Sequence, residues 1–301
     1  MNRTFVILRH TFWDCVAQPI YPLLLLLGAA VLVVFGLLPF FTLGEDTLMF
    51  KSVGLDVILL FVLLATLFAT SKSIFEEIED RTMLTLMSKP LRRWEVMLGK
   101  YSGIILSAAL GVAALGAVLI LSTWMRIPVD YQLRGAATNH EMAQEVYEYR
   151  LMHIAGLLPS LVLTWLQVSV LAAIGVALST RFSLVVNLPT VIMLYIAGNL
   201  MRFAFPLATG PLAGRPIAQG MAWALSLVLP YLEVFDLRQL AIMGIVKVAG
   251  TRFENSTRGV PPLMLWKYVA VATVYAIGYA GFALGAGLWM FQTRELGGGE
   301  G

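Results

Sequence analysis

The sequence predicts an all-α, polytopic membrane protein, and three observations carry that expectation. Hydrophobic residues make up 59% and charged residues 13% of the 301 positions, where a soluble domain has roughly 25% charged, and the mean hydropathy is +0.81. The apolar residues gather in runs of the length a helix needs to cross about 30 Å of hydrocarbon. The charges gather between those runs, most densely at 74–100. A net charge of +3 with no long basic run gives no footing for nucleic acid. The single cysteine, Cys15, excludes an intramolecular disulfide and a Cys-based metal cluster.

In order, residues 1–19 read as an amphipathic helix lying on the membrane surface, with Phe5, Leu8, Phe12, Cys15 and Val16 on one side and His10, Asp14 and Gln18 opposite. Six transmembrane helices are expected at 20–43, 53–74, 94–124, 153–179, 183–205 and 263–291, with 44–52 as a short polar link. Polar composition makes 126–152 and 206–262 external segments. The second holds a dozen-residue apolar run at 221–232, too short to span and suited to a re-entrant or interfacial helix. Gly99, Gly103, Ser107 and Gly111 recur every fourth residue in the third span, a stripe for close approach by a neighbour in the same chain or in a second subunit. Gly281 and Gly285 in the last span pose the same choice.

The stretch at 74–100 is where the chain's organisation turns. It carries Glu76, Glu77, Glu79 and Asp80, then Lys89, Arg92, Arg93 and Lys100. An acidic or basic residue at mid-bilayer costs about 2.5–3.5 kcal/mol, so burying the four acids in lipid would cost on the order of 10 kcal/mol. Residues 75–93 therefore lie in water or at the interface. The run Met83 to Met87 suits a short helix, Pro90 ends it, and Arg92 leads into the next span. A short helix held between two spans is a mechanical contact for something outside the membrane.

Catalytic motifs are missing from the sequence. The only Gly-Lys, Gly99-Lys100, is followed by Tyr101 rather than Ser or Thr, so no phosphate loop is present. His140-Glu141-Met142-Ala143-Gln144 falls short of the zinc protease motif because Gln144 replaces the second imidazole. No Gly-x-Ser-x-Gly elbow and no carboxylate pair within a span suggests an enzyme. The intramembrane polar residues Gln167, Asn187, Tyr195 and Asn199 are candidates for lining a pathway, with interhelical hydrogen bonding as the other use of Gln167 and Asn187.

The segment at 74–100 resembles the ABC type 2 transporter permeases, the membrane subunits of one class of ATP-binding-cassette exporters. That family carries an acidic residue, Gly-Thr, a Leu-rich turn, Ser-x-Pro-x-x-Arg and Leu-Gly-Lys. Here these are Glu79 and Asp80, Arg81-Thr82, Leu84 and Leu86, Ser88-Lys89-Pro90, Arg93 and Leu98-Gly99-Lys100, with Arg81 standing where the family has glycine. Leu229 to Phe235 is similar to the family's Leu-Pro-x-Leu-Glu-x-Phe, and Phe291 to Leu296 to its usual terminus.

The resemblance implies a permease without cofactor of its own, working with two ABC ATPase subunits that bind ATP and Mg, and with a second permease subunit, either identical, as a homodimer, or homologous. The ATPase would grip a cytoplasmic coupling helix through Glu76, Glu77, Glu79, Asp80, Arg81, Thr82, Leu84, Ser88, Pro90, Arg92 and Arg93. It also implies a cytoplasmic (inner) membrane location with both termini cytoplasmic. The 21 Lys and Arg divide almost evenly between the two sides, but those nearest span ends in short loops favour the same orientation. By analogy with the family, apolar spans suit a lipid-like or amphiphilic cargo, and the external segments offer surface to an accessory protein. An ion-coupled carrier or channel without an ATPase is the alternative; it would show repeat symmetry and ionisable groups in broken spans, neither of which is clear here.

Overall fold

The computed structural model describes residues 3–38, 46–79, 92–133, 140–204, 220, 229–242, 244–254, 256–257 and 259–292. Seven long helices organise them: α1 (Arg3–Ala17), α2 (Ile20–Leu37), α3 (Asp46–Thr70), α4 (Arg93–Leu133), α5 (His140–Ser179), α6 (Leu184–Ala204) and α7 (Pro262–Gln292). A π-helical turn, Ser71–Glu76, carries α3 on to Glu79. Strand-like pairing among the described residues is limited to one bridge, Val246 to Val260.

Five of these helices are long and apolar enough to cross a membrane: Ile20–Leu37, Thr47–Glu79, Arg93–Ile127, Gln144–Ser179 and Pro262–Gln292. The expected crossing at 183–205 is a helix of 21 residues, but its apolar part, Leu184–Leu200, is shorter than the others. Asn187, Pro189, Tyr195 and Asn199 dilute it.

The bundle is built around α5, which packs against α3, α4, α6 and α7. Leu157, Leu163, Val168, Val170 and Leu171 are fully buried along it, the all-round apolar character of a central helix. Of its most apolar stretch 72% is buried, against 22% for α2 and 33% for α7. Those two helices bury the least of the five, and α4 and α6 also expose large apolar side chains such as Met125 and Val185. Buried hydroxyls are satisfied locally: Thr66, Thr123, Ser160, Thr164 and Ser169 each donate to the carbonyl four residues earlier. A helix in hydrocarbon has no water to do this for it.

The glycine stripe of α4 is filled from within the chain. A Cβ at Gly103 would stand 2.7 Å from Thr11 Cβ and 2.8 Å from Leu8 O, so α1 crosses α4 backbone to backbone. Gly111 meets Val62, Leu25 and Tyr21, and Tyr21 Oη donates to Ser107 O at 2.8 Å. Among the described residues, a Cβ added at Gly281 or Gly285 of α7 would meet nothing within 4 Å.

Four sequence expectations change. The link expected at 44–52 is helical from Asp46. Lys51 within it is 1% exposed, its Nζ within 2.8 Å of His153 Nδ1 and donating to Ile242 O at 3.1 Å. The excursion expected at 126–152 is largely the continuation of α4 to Leu133 and α5 from His140. Arg126 is accordingly buried, donating to the carbonyls of Phe35, Gly36 and Leu38 at 3.0–3.1 Å, where it caps the end of α2. On α1 the expected sides hold at Cys15, which is fully buried, and at the exposed His10 and Asp14, whereas Phe5 is 54% exposed and Gln18, just past the helix, is 7% exposed. The glycine groove of α4 takes Ile7 at Gly99 and Thr11 at Gly103. Last, the 229–260 part of the second external segment is not merely surface: Leu232, Phe235, Leu237, Ile242 and Val246 join the main core. Most of the expected re-entrant run at 221–232 lies outside the described residues.

Candidate functional site

Among the described residues, two of the places where charged or polar side chains meet lie along α3 and the π-helical turn that extends it. Glu77, just past the π-helical turn, and Asp56 on α3 are 21 positions apart, roughly 30 Å at about 1.5 Å per residue, close to the thickness of a bilayer's hydrocarbon.

At the first end, the π-helical turn swings Ser73 and Glu77 toward the start of α4. Lys100 Nζ stands 2.6 Å from Glu77 Oε2, donates to Ser73 O, and lies 3.4 Å from Ser73 Oγ. The Lys100 side chain is 4% exposed and that of Glu77 34%. Burial at this level makes the pair costly to break, because the ammonium would be left without a counter-charge. Arg93 donates to Phe291 O at 2.9 Å and Gln292 O at 3.2 Å, and its guanidinium lies 5.3 Å from the Phe291 ring centre. These carbonyls end α7, where a cation is favoured. Glu95 accepts the Arg92 N–H at 2.9 Å and caps the start of α4. Glu76 lines a cavity of about 390 Å³ between Gln18, Pro19 and the π-helical turn. Glu79 and Arg92 are exposed. The flanks of residues 80–91 are thus fastened to α3, α4 and α7. Asp80, Arg81, Thr82, Leu84, Ser88 and Pro90 lie outside the described residues.

Cys15 is close by on α1, where burial pushes its thiol up to about 12.

At the other end, a cavity of about 230 Å³ opens between α3, α5, α6 and the 232–238 segment. Three of the four pathway candidates, Gln167, Tyr195 and Asn199, line it together with Asp56, Asp236 and Arg238. Arg238 holds Asp56 in a two-pronged contact, Nη1 to Oδ2 at 2.9 Å and Nη2 to Oδ1. Asn187 is elsewhere: fully buried, its Nδ2 donates to Gly175 O at 3.2 Å and Ser179 Oγ at 2.7 Å. That is a packing contact between α6 and α5.

The ABC-2 family transporter protein family matches residues 48–296, which takes in both ends just described. The chain belongs to the ABC-2 transporter family. It is a membrane transport subunit rather than an enzyme. No curated protein matches the chain.

Sequence reasoning missed three participants in this ABC-2 permease. Lys100 was visible in Leu98-Gly99-Lys100, but only as a surface charge; its position at the seventh residue of an apolar helix was the signal that it needs a buried partner. Asp56 is a lone acid in the span expected at 53–74, and its partner is not nearby in the sequence. Arg238 carried no local signal, because its partner is 182 residues away.

Proposed function

We propose that this permease is the membrane half of an ABC exporter, driven by ATP and Mg bound on two separate ATPase subunits. Two copies of the chain, each with six crossings counting α6, face one another in the cytoplasmic membrane with both termini inside. Residues 75–93 are the coupling segment on the cytoplasmic side, and the Asp56–Arg238 cavity is on the outer side as part of the substrate path. A lipid-like or amphiphilic cargo fits the lipid-facing surfaces of α2 and α7, and the external segments offer a place for an accessory protein.

The observation that carries this reading is that both flanks of residues 80–91 are fastened, at Glu77 and at Arg93. A push on a segment tied by Glu77–Lys100 to α4 and by Arg93 to the end of α7 is passed to three membrane helices rather than absorbed by a loop. The exposed groups flanking it, Glu79 and Arg92, are the ones free to meet a partner without undoing the fastening.

Purification from native membranes tests the reading. A nucleotide-binding subunit is expected to come with the chain, and Glu79→Lys with Arg92→Glu is expected to weaken that association and the stimulation of ATP hydrolysis. Association and hydrolysis unchanged by the double reversal would contradict the assignment of the coupling segment.

A further inference from the structure

We infer that the cavity between α3, α5 and α6 is a binding site for an ammonium-bearing guest. The inference rests on the reading of this cavity as part of the substrate path and names the chemistry it accepts.

Gln167 supplies the first reason. Its side chain lines the cavity from α5 at 8% residue exposure, and among the described residues its amide has no hydrogen-bond partner. That amide opens into the cavity, where its oxygen can accept a hydrogen bond from a guest.

The second reason is which hydrogen-bonding capacity remains. Ser160 and Thr164 donate their protons to Gly156 O and Ser160 O, both at 3.0 Å, so each hydroxyl presents lone pairs to the cavity. Asn199 Nδ2 donates to Tyr195 O at 2.9 Å. Arg238 is committed to both oxygens of Asp56, to Ser52 Oγ at 3.3 Å and to Asp236 at 3.7 Å. The hydroxyls thus offer acceptors, the Gln167 amide offers its oxygen as well as its two N–H groups, and the only cationic donor among the described residues of the wall, Arg238, is already engaged.

Charge points the same way. Two carboxylates, Asp56 and Asp236, face one guanidinium, leaving the lining one unit negative. The rings of Tyr195 and Phe235 line the same space and favour a cation near their faces. An anionic guest would have to take Arg238 from Asp56 and would leave that carboxylate without its partner. A protonated amine meets the acceptors as they stand, and the volume of about 230 Å³ admits a small head group rather than a large solute. The ammonium can belong to a soluble amine or to a lipid head group.

The full-length chain in phosphatidylglycerol nanodiscs, without ATPase, tests this by calorimetric titration with phenethylamine and with 3-phenylpropionate. Phenethylamine is expected to bind saturably and 3-phenylpropionate at least about tenfold more weakly. Gln167→Leu and Asp236→Asn are each expected to weaken phenethylamine by about tenfold with the melting temperature unchanged. If Gln167→Leu fails to fold, Asp236→Asn on the half-exposed rim decides. Repeating the titration in phosphatidylethanolamine nanodiscs separates the sources: weaker apparent binding there assigns a lipid head group, and equal binding a soluble amine. Absence of phenethylamine binding, equal or tighter binding of the carboxylate, or indifference to the variants that fold would overturn the inference. Each of those results leaves co-purification of an ATPase untouched, so the site and the transport reading fail separately.

Discussion

Lys100–Glu77 and Arg238–Asp56 are the same chemistry in two different settings. The first pair is locked: the lysine side chain is 4% exposed and also holds the backbone of the π-helical turn. The second is open, with side-chain exposures of 30% and 48%, and it borders a cavity. What holds the second end in place is instead backbone packing and a buried lysine. Gly156 lets α5 touch the carbonyl of Ala241, and Lys51 reaches Ile242 O. One end is thus built to transmit movement and the other to exchange partners. Exposed ion pairs contribute little to stability, typically under about 1 kcal/mol, and so can be traded for a guest.

The comparison breaks most visibly at Gly156. A Cβ there would stand 1.8 Å from Ala241 O, which is backbone and cannot swing aside. Gly156→Leu is expected to cost about 3 kcal/mol or more and to lower the melting temperature measured by fluorescence-detected size exclusion. An unchanged melt would show that the 238–242 turn does not sit on α5.

Next in size is Glu77→Gln, which leaves Lys100 buried without its carboxylate at an expected cost of about 3 kcal/mol, less whatever solvent reaches the half-exposed acid. Lys100→Met added to it is expected to recover most of that loss. Additive losses in the double variant would mean that the two residues are not coupled.

Asp56→Asn should cost about 1 kcal/mol or less in the same melt, since the pair it weakens is solvated. A loss as large as that of Glu77→Gln would erase the distinction between the two ends. The smallest change is chemical rather than energetic. Cys15 is buried with its thiol pushed up to about 12, so almost no thiolate exists at pH 7.5. Maleimide labelling of the folded protein is expected to be negligible there and complete after denaturation.

Much of this was legible in the sequence, and the losses have physical causes. Runs of apolar residues located the five long helices, because hydrocarbon thickness sets their length independently of tertiary contacts. Asn187 illustrates what composition cannot separate: a polar group within an apolar run has the same signature whether it bonds Ser179 or lines a path. Lys51 and Arg126 were assigned to solvated segments because charge usually marks water, yet each is buried against backbone carbonyls supplied by distant helices. Tyr195, Asn199 and Gln167 were picked out singly. Only the folding of α5 against α6 and the 232–238 segment puts them around one space with Arg238. On α1 the expected sides were legible at Cys15, His10 and Asp14, and only Phe5 and Gln18, just past the helix, depart from them.

The sidedness of residues 75–93 is the point on which coupling to an ATPase stands or falls. Cysteine introduced at Arg92 in a Cys15→Ser chain, probed with a membrane-impermeant maleimide in right-side-out and inverted vesicles, measures it directly. Labelling confined to inverted vesicles is the expected result. Labelling only from the outer face would place the charged segment away from any cytoplasmic ATPase and would contradict the coupling proposal.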